Sequence, residues 1–243
     1  MNYQTAMLNQ QGGRDYNEDY YGSIELEDDL KCWTLADGLG GHGGGDVAAQ
    51  LAVEAIVNTF AENPLLATGT LNLQFNKAQQ AVTEGQNRSL KLANMQTTAV
   101  VLITHHDLAL WGHIGDTRLY YFHEGYLQKQ TSDHSVPQLL ANAGEIDASE
   151  IRFHEDRNRL LRSIGSKEAF KPHLEQSPIN LHSGDAFLLC TDGFWEYVFE
   201  AEMAEDLQQT RSAVEWRNAM EQRLLARVPE GNDNYSAIAI NVL

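Results

Sequence analysis

Apolar and β-branched positions along this chain gather in short runs broken by Asp-Gly, Gly-Asp or Asp-Asn pairs, and two longer stretches carry helical spacing. The first third reads as strand, strand, helix, helix. Residues 31–36 (KCWTLA) form a short strand that ends at Asp37-Gly38. The glycine-rich run at 40–45 is incompatible with regular structure and makes a loop that another backbone can approach closely. Asp46 is suited to cap a helix carrying Val47, Leu51, Ala55 and Phe60. A second helix over 70–93 places Leu71, Phe75, Ala78, Val82 and Leu90 near one face.

The middle of the chain predicts strands at 97–104, 108–113 and 118–123, with turns at Gly115-Asp116 and Glu124-Gly125, arranged as an antiparallel meander. Residues 135–166 are weakly periodic: a short helix at 136–143, then an irregular surface excursion of the kind used as a lid or recognition segment. The last third predicts a strand at 186–191 ending at Asp192-Gly193, helices near 200–210 and 212–228, and a half-buried final strand at 235–242. The second of these helices opens with a capping-box pattern, Ser212 with Glu215. Helices follow strands in blocks, which favours an α+β fold of antiparallel sheets with helices packed outside.

No linker, repeat or biased segment divides the 243 residues, so one domain is expected. The net charge of −17 disfavours nucleic acid and anionic membrane surfaces as partners. Cys32 and Cys190, both in apolar runs, read as buried reduced thiols. The first residues lack the pattern of a signal peptide, and no apolar run approaches the ~18 residues of a membrane span. A soluble cytoplasmic monomer is the default expectation.

Acidic residues recur at the ends of the strand-like runs: Glu18 and Asp19, Asp37, Asp116, Asp192 and Asp233. Each neighbours glycine or asparagine, at a turn that ions can reach. Gathered by the fold, such carboxylates would repel one another, and the usual remedy is a hard cation bound through oxygen, here Mg²⁺ or Mn²⁺. Taken singly, an Asp before Gly is an ordinary turn former.

Taken together, the segments RDYNED (14–19), ADGLGGH (36–42), TTA (97–99), GDTR (115–118), TSDHS (131–135), TDGFW (191–195) and DNYS (233–236) resemble, in order, the signatures of bacterial PP2C-type metal-dependent serine/threonine phosphatases. The resemblance runs from Gly12 to about Ile240. It implies a β-sandwich of two antiparallel sheets flanked by helix pairs, with a two-ion Mg²⁺ or Mn²⁺ centre at one end. By the resemblance, Asp37 bridges the two ions and the Gly38 carbonyl completes the second shell. Asp192 and Asp233 hold the first ion, and Glu18 holds the second through water. Asp19 either ligates through water or positions Glu18, and Asp116 helps Asp192 hold a third ion. Two such ions lower the pKa of a water held between them, which then attacks the phosphorus of a phosphoserine or phosphothreonine. Arg14 matches the phosphate-binding arginine, whose planar fork suits two phosphoryl oxygens.

Two departures stand out. Leu39 occupies the position where many eukaryotic relatives carry a histidine proposed to protonate the leaving group. His42 is read as a loop hydrogen-bonding residue, with an acid role as the alternative, and His134 as structural. Thr117 and Thr191 replace the commoner serine and keep the hydroxyl. The segment at about 137–166 corresponds to the family's flap, where Arg152, Arg157, Arg159 and Arg162 either meet phosphopeptide or are solvated surface charge. The expected partners are phosphoproteins, a serine/threonine kinase and its forkhead-associated target. The competing functions are a catalytically inactive binding module and a phosphatase of a small phosphorylated metabolite.

Overall fold

The computed structural model describes residues 1–40 and 44–243; the two readings of His42 lie outside the described residues. Strands β1 (Tyr3–Gln10), β2 (Asp19–Glu25) and β3 (Leu30–Leu39) precede helices α1 (Gly45–Glu62) and α2 (Thr68–Gln86). Then come β4 (Gln96–Thr97), β5 (Ala99–His105), β6 (Leu108–Ile114), β7 (Arg118–His123), β8 (Tyr126–Gln130) and α3 (Val136–Ala143). The chain ends with β9 (His173–Leu174), β10 (Ile179–Asn180), β11 (Ala186–Cys190), α4 (Asp192–Trp195), α5 (Glu200–Gln209), α6 (Ala213–Leu225) and β12 (Tyr235–Val242).

The strands form two antiparallel sheets, one in the order β1-β12-β11-β7-β8 and the other β10-β6-β5-β3-β2, with β4 on β3 and β9 on β6. Side-chain alternation builds three apolar layers. Trp33, Leu35, Val100, Leu102, Phe187, Leu189, Ile238 and Ile240 fill the space between the sheets. Cys32, Ala36, Val101 and Ile103 point the other way, onto α1 and α2. Tyr120, Phe122, Leu188 and Ala239 turn to α5 and α6. The α+β sandwich read from the sequence is therefore the observed architecture. Both cysteines are buried and free. Among the described residues no helix is long and apolar enough to cross a membrane.

Several local expectations are corrected. Three strands, not two, open the chain; β1 was hidden because only Ala6 and Leu8 of its eight residues are buried. The predicted meander breaks after β6: the chain leaves one sheet at Gly115, whose φ of +96° permits the turn, and enters the other as β7. β12 is not half buried but covered on both faces, because it lies inside a sheet with helices on one side and the second sheet on the other. α2 stops at Gln86, short of position 93, and Leu90 is 96% exposed. Gly85 ends the useful face there, since a Cβ at this point would lie 2.4 Å from the Met95 side chain. Asp46 sits in the first turn of α1 and makes no capping bond; Gly44 precedes the helix. At α6, Ser212 accepts from the Glu215 N–H at 3.2 Å, but Glu215 reaches back to the Arg211 N–H at 2.9 Å, one residue before the expected partner.

Candidate metal centre

The acidic residues meet at one end of the sandwich, and the topology dictates it. Asp37 lies near the C-terminal end of β3 and is the cross-strand partner of Asp19, which begins β2. Asp116 lies in the turn that feeds β7, Asp192 follows β11, and Asp233 precedes β12. β7, β11 and β12 are antiparallel neighbours, so a start, an end and a start fall at the same edge. Arg14, Glu18, Asp37, Gly38, Leu39, Asp116, Asp192 and Asp233 line one cleft of about 280 Å³, joined on the flap side by Asn158 and Leu160. A larger neighbouring cleft of about 640 Å³ shares Arg14, Glu18 and Asp233 and adds Tyr16, Asp46 and Lys91.

Asp37, Glu18 and Asp19 are held by backbone and hydroxyl contacts. The Asp37 N–H donates to Thr98 Oγ1 at 3.1 Å, while its carbonyl accepts from the Thr98 N–H at 2.9 Å and Thr97 Oγ1 at 2.8 Å. The Gly38 N–H donates to the Glu18 carbonyl at 3.1 Å. A Cβ on Gly38 would lie 2.1 Å from the Gly45 carbonyl oxygen, and one on Gly45 would lie 2.6 Å from Glu18 Oε1. Glycine at both positions thus lets the start of α1 close over β3 and reach the Glu18 carboxylate. Thr191 Oγ1 donates to Asp19 Oδ2 at 2.9 Å and accepts from the Ser236 N–H at 3.0 Å. The hydroxyl kept at 191 therefore positions Asp19. The one kept at 117 contacts Thr98, the residue that braces Asp37.

The electrostatics are those of a site short of positive charge. Burial first, then Asp19 and Asp192, push the Asp37 carboxyl well above the usual carboxylate range. Burial with Asp192 and Asp133 does the same to Asp116. Burial raises Asp19 to about 7, and burial with Asp233 raises Asp192 to about 6. Glu18 is raised by burial and Asp46. Arg14 is the cation in contact, its Nη2 lying 2.6 Å from Asp233 Oδ2, and its side chain is 54% exposed. Asp19 Oδ1 is buried and has no hydrogen-bond partner among the described residues. An orphaned buried oxygen amid crowded carboxylates fits a hard divalent cation.

Some contributors carried no role in the sequence. Asn234 ties the cleft together: its side-chain oxygen accepts from the Glu18 N–H at 2.8 Å and its amide donates to the Gln11 and Tyr16 carbonyls at 2.7 and 2.9 Å. The Asp-Asn pair was its only signal. Glu196, raised to about 7 by burial and Asp192, pairs with Arg157 at 2.7 Å. His134 is structural, its Nδ1 accepting from the Gly115 N–H at 3.1 Å beside Asp116. Nor do the flap arginines form one free patch. Arg152 is buried, donating to the Trp195 carbonyl at 2.5 Å and pairing with Glu200.

A model of the protein phosphatase 2C family matches residues 11–227. The chain belongs to this family. Within it, the serine/threonine phosphatase Stp of Listeria monocytogenes is 30% identical over 207 residues, covering 83% of this chain and 81% of that protein. The crystal structure of the Mycobacterium tuberculosis serine/threonine phosphatase PstP/Ppp superposes with a TM-score of 0.85 at 26% identity, covering 99% of this chain and 98% of that one. The catalytic domain of PstP in complex with two manganese ions shares the fold with a TM-score of 0.83 at 24% identity. The sandwich of this protein phosphatase 2C chain is thus the family's own, and its acidic cleft lies where the fold gathers its strand ends.

Proposed function

We propose that this chain, working as one domain over residues 1–243 with 137–166 as a flap, hydrolyses phosphoserine and phosphothreonine in proteins in the cytoplasm. Its role is to oppose a serine/threonine kinase and a forkhead-associated target of that kinase, and it acts as a monomer. The observation that carries the reading is the crowding of Asp19, Asp37, Asp116 and Asp192, each raised by burial and by its neighbours, around a buried oxygen that lacks a partner.

Asp37, Asp192 and Asp233 would be the direct carboxylate ligands of Mg²⁺ or Mn²⁺, with the Gly38 carbonyl, Glu18 and Asp19 completing the shells and Asp116 available to a third ion. When bound, the ions supply Lewis acidity and water activated near neutral pH. The chain's own contribution is placement. Thr97 and Thr98 fix the backbone at Asp37, and Thr191 holds one carboxylate oxygen of the buried Asp19. Arg14 pairs with Asp233 and lines the cleft, and its exposed guanidinium has the planar fork that would take two phosphoryl oxygens. Leu39 lines the cleft and has no proton to give, so the residue after Asp37-Gly38 does not protonate the leaving alkoxide. The wide adjoining cleft suits a phosphate borne on a polypeptide better than an enclosed metabolite.

The purified chain is expected to hydrolyse p-nitrophenyl phosphate and a phosphothreonine peptide with Mn²⁺ or Mg²⁺, and to lose both activities in EDTA. Undiminished turnover in EDTA would refute the assignment.

A further inference from the structure

A second cluster of ligand-type side chains lies at the opposite end of the sandwich. His123 ends β7, while His182 and Asp185 flank the tight turn that enters β11; their ligand atoms all lie within 4.8 Å of one another. Asp185 and Asp192 bracket β11, and seven residues at the rise of a strand put about 20 Å between them. Among the described residues, none that lines the acidic cleft belongs to this cluster.

We propose that His123 Nδ1, His182 Nδ1 and a carboxylate oxygen of Asp185 form a binding site for a zinc-class divalent ion. Gly184, at a φ of +93°, folds the turn so that His182 and Asp185 face each other, and the Asp185 N–H donates to the His182 carbonyl at 3.1 Å. Nδ1 of His123 is 2.7 Å from Asp185 Oδ1, and Nδ1 of His182 is 3.9 Å from Asp185 Oδ2. A tetrahedral zinc with bonds near 2.0–2.1 Å separates its ligand atoms by about 3.3 Å, so with Oδ1 as the carboxylate ligand the exposed His182 ring would swing towards the oxygen that His123 already contacts.

The carboxylate is already oriented from behind. Asp185 is 1% exposed, and its Oδ2 accepts from the Tyr121 hydroxyl at 2.8 Å and the His182 N–H at 2.9 Å. Such outer contacts are what fix the ligands of metal sites. The side chain of His182 is 64% exposed, which leaves an entry path and room for water in the fourth position. Two imidazoles and one carboxylate select zinc, cobalt or nickel over the magnesium that an all-oxygen cleft prefers. The Asp185 carbonyl accepts from the Val242 N–H at 2.8 Å, so an ion here would clip β7, β11 and the end of β12 together.

The test is calorimetric titration of the full chain with Zn²⁺ in excess Mg²⁺, which occupies the acidic cleft, repeated on His182→Ala, His123→Ala and Asp192→Asn. Expected is one zinc per chain in the parent and in Asp192→Asn, weakened at least tenfold in each histidine variant. Co²⁺ should give tetrahedral visible absorption in the parent that His182→Ala lacks. His182 is exposed, so that variant should keep its circular dichroism and its Mg²⁺-dependent phosphatase rate. Zinc affinity equal in the parent and His182→Ala, or lost only in Asp192→Asn, would overturn the proposal and leave the three groups as an ion pair with a bystander histidine.

Discussion

At the scale of single residues, the carboxylates of the cleft conflict with their own surroundings. Asp192 is raised to about 6 by burial and by Asp233, and it lies within hydrogen-bonding reach of Asp37. Removing its charge relieves repulsion in the metal-free chain while taking away a ligand. Asp192→Asn is expected to lose Mn²⁺-dependent activity by at least about 100-fold, since even the outer partners of metal ligands are worth 10–100-fold. The same variant in EDTA should melt no lower than the parent. A lowered melting temperature would show that Asp192 serves the fold rather than the ion, and steady-state kinetics alongside thermal denaturation separates the two.

At the scale of elements, the sequence carries the acids well and the flap poorly, for physical reasons. Asp116, Asp192 and Asp233 each sit where a strand meets a turn, and that punctuation is local; Asp37 does not, because β3 runs on through Asp37-Gly38 to Leu39, pairing with β2 and β4 where the sequence predicted a turn. β1 escaped notice because an edge strand with two buried residues leaves no apolar run. The crossing between sheets after β6 is equally silent, since β6 and β7 are both buried on two faces and read alike. Arg152 looked like one of four flap charges, yet its guanidinium caps the carbonyls of Trp195 and Val198, pairs with Glu200 and lies over the Phe199 ring. No spacing rule announces a partner more than forty residues away. Arg152→Ala would take this donor from the Trp195 and Val198 carbonyls and leave Glu200 with only Tyr120 and Arg118, at a cost of roughly 2–4 kcal/mol. At this chain length that lowers the melting temperature by about 4–16 °C. KM for a phosphopeptide should stay within about twofold if Arg152 is only a tether. A large rise in KM with unchanged stability would instead return Arg152 to the substrate.

At the scale of the whole molecule, the sandwich holds a cluster of like charges in place, and stability depends on what neutralises them. Burial and crowding raise Asp19 to about 7 and Asp192 to about 6 in the folded chain, and hold Asp37 and Asp116 well above the usual carboxylate range, against about 4 when unfolded. The folded state therefore binds more protons than the unfolded one from about pH 4 upward, so these groups cost no stability below that and a growing penalty as pH rises through their folded values. Buried His113 and His134, lowered to about 4 and about 3 by burial, act in the opposite sense, destabilising the fold as pH drops below about 6.5. Comparing metal-loaded with metal-free protein at each pH cancels whatever the histidines contribute equally to both. What remains is the competition between protons and ions for the carboxylates: at pH 6 protons already neutralise part of the cleft, and at pH 8 Asp19 and Asp192 have lost theirs and leave more of that work to a cation. The rise in melting temperature on adding saturating Mn²⁺ to EDTA-stripped protein should therefore be larger at pH 8 than at pH 6. An equal rise at both would mean that these acids are ionised throughout, and that the crowding seen at the strand ends is already relieved within the chain itself.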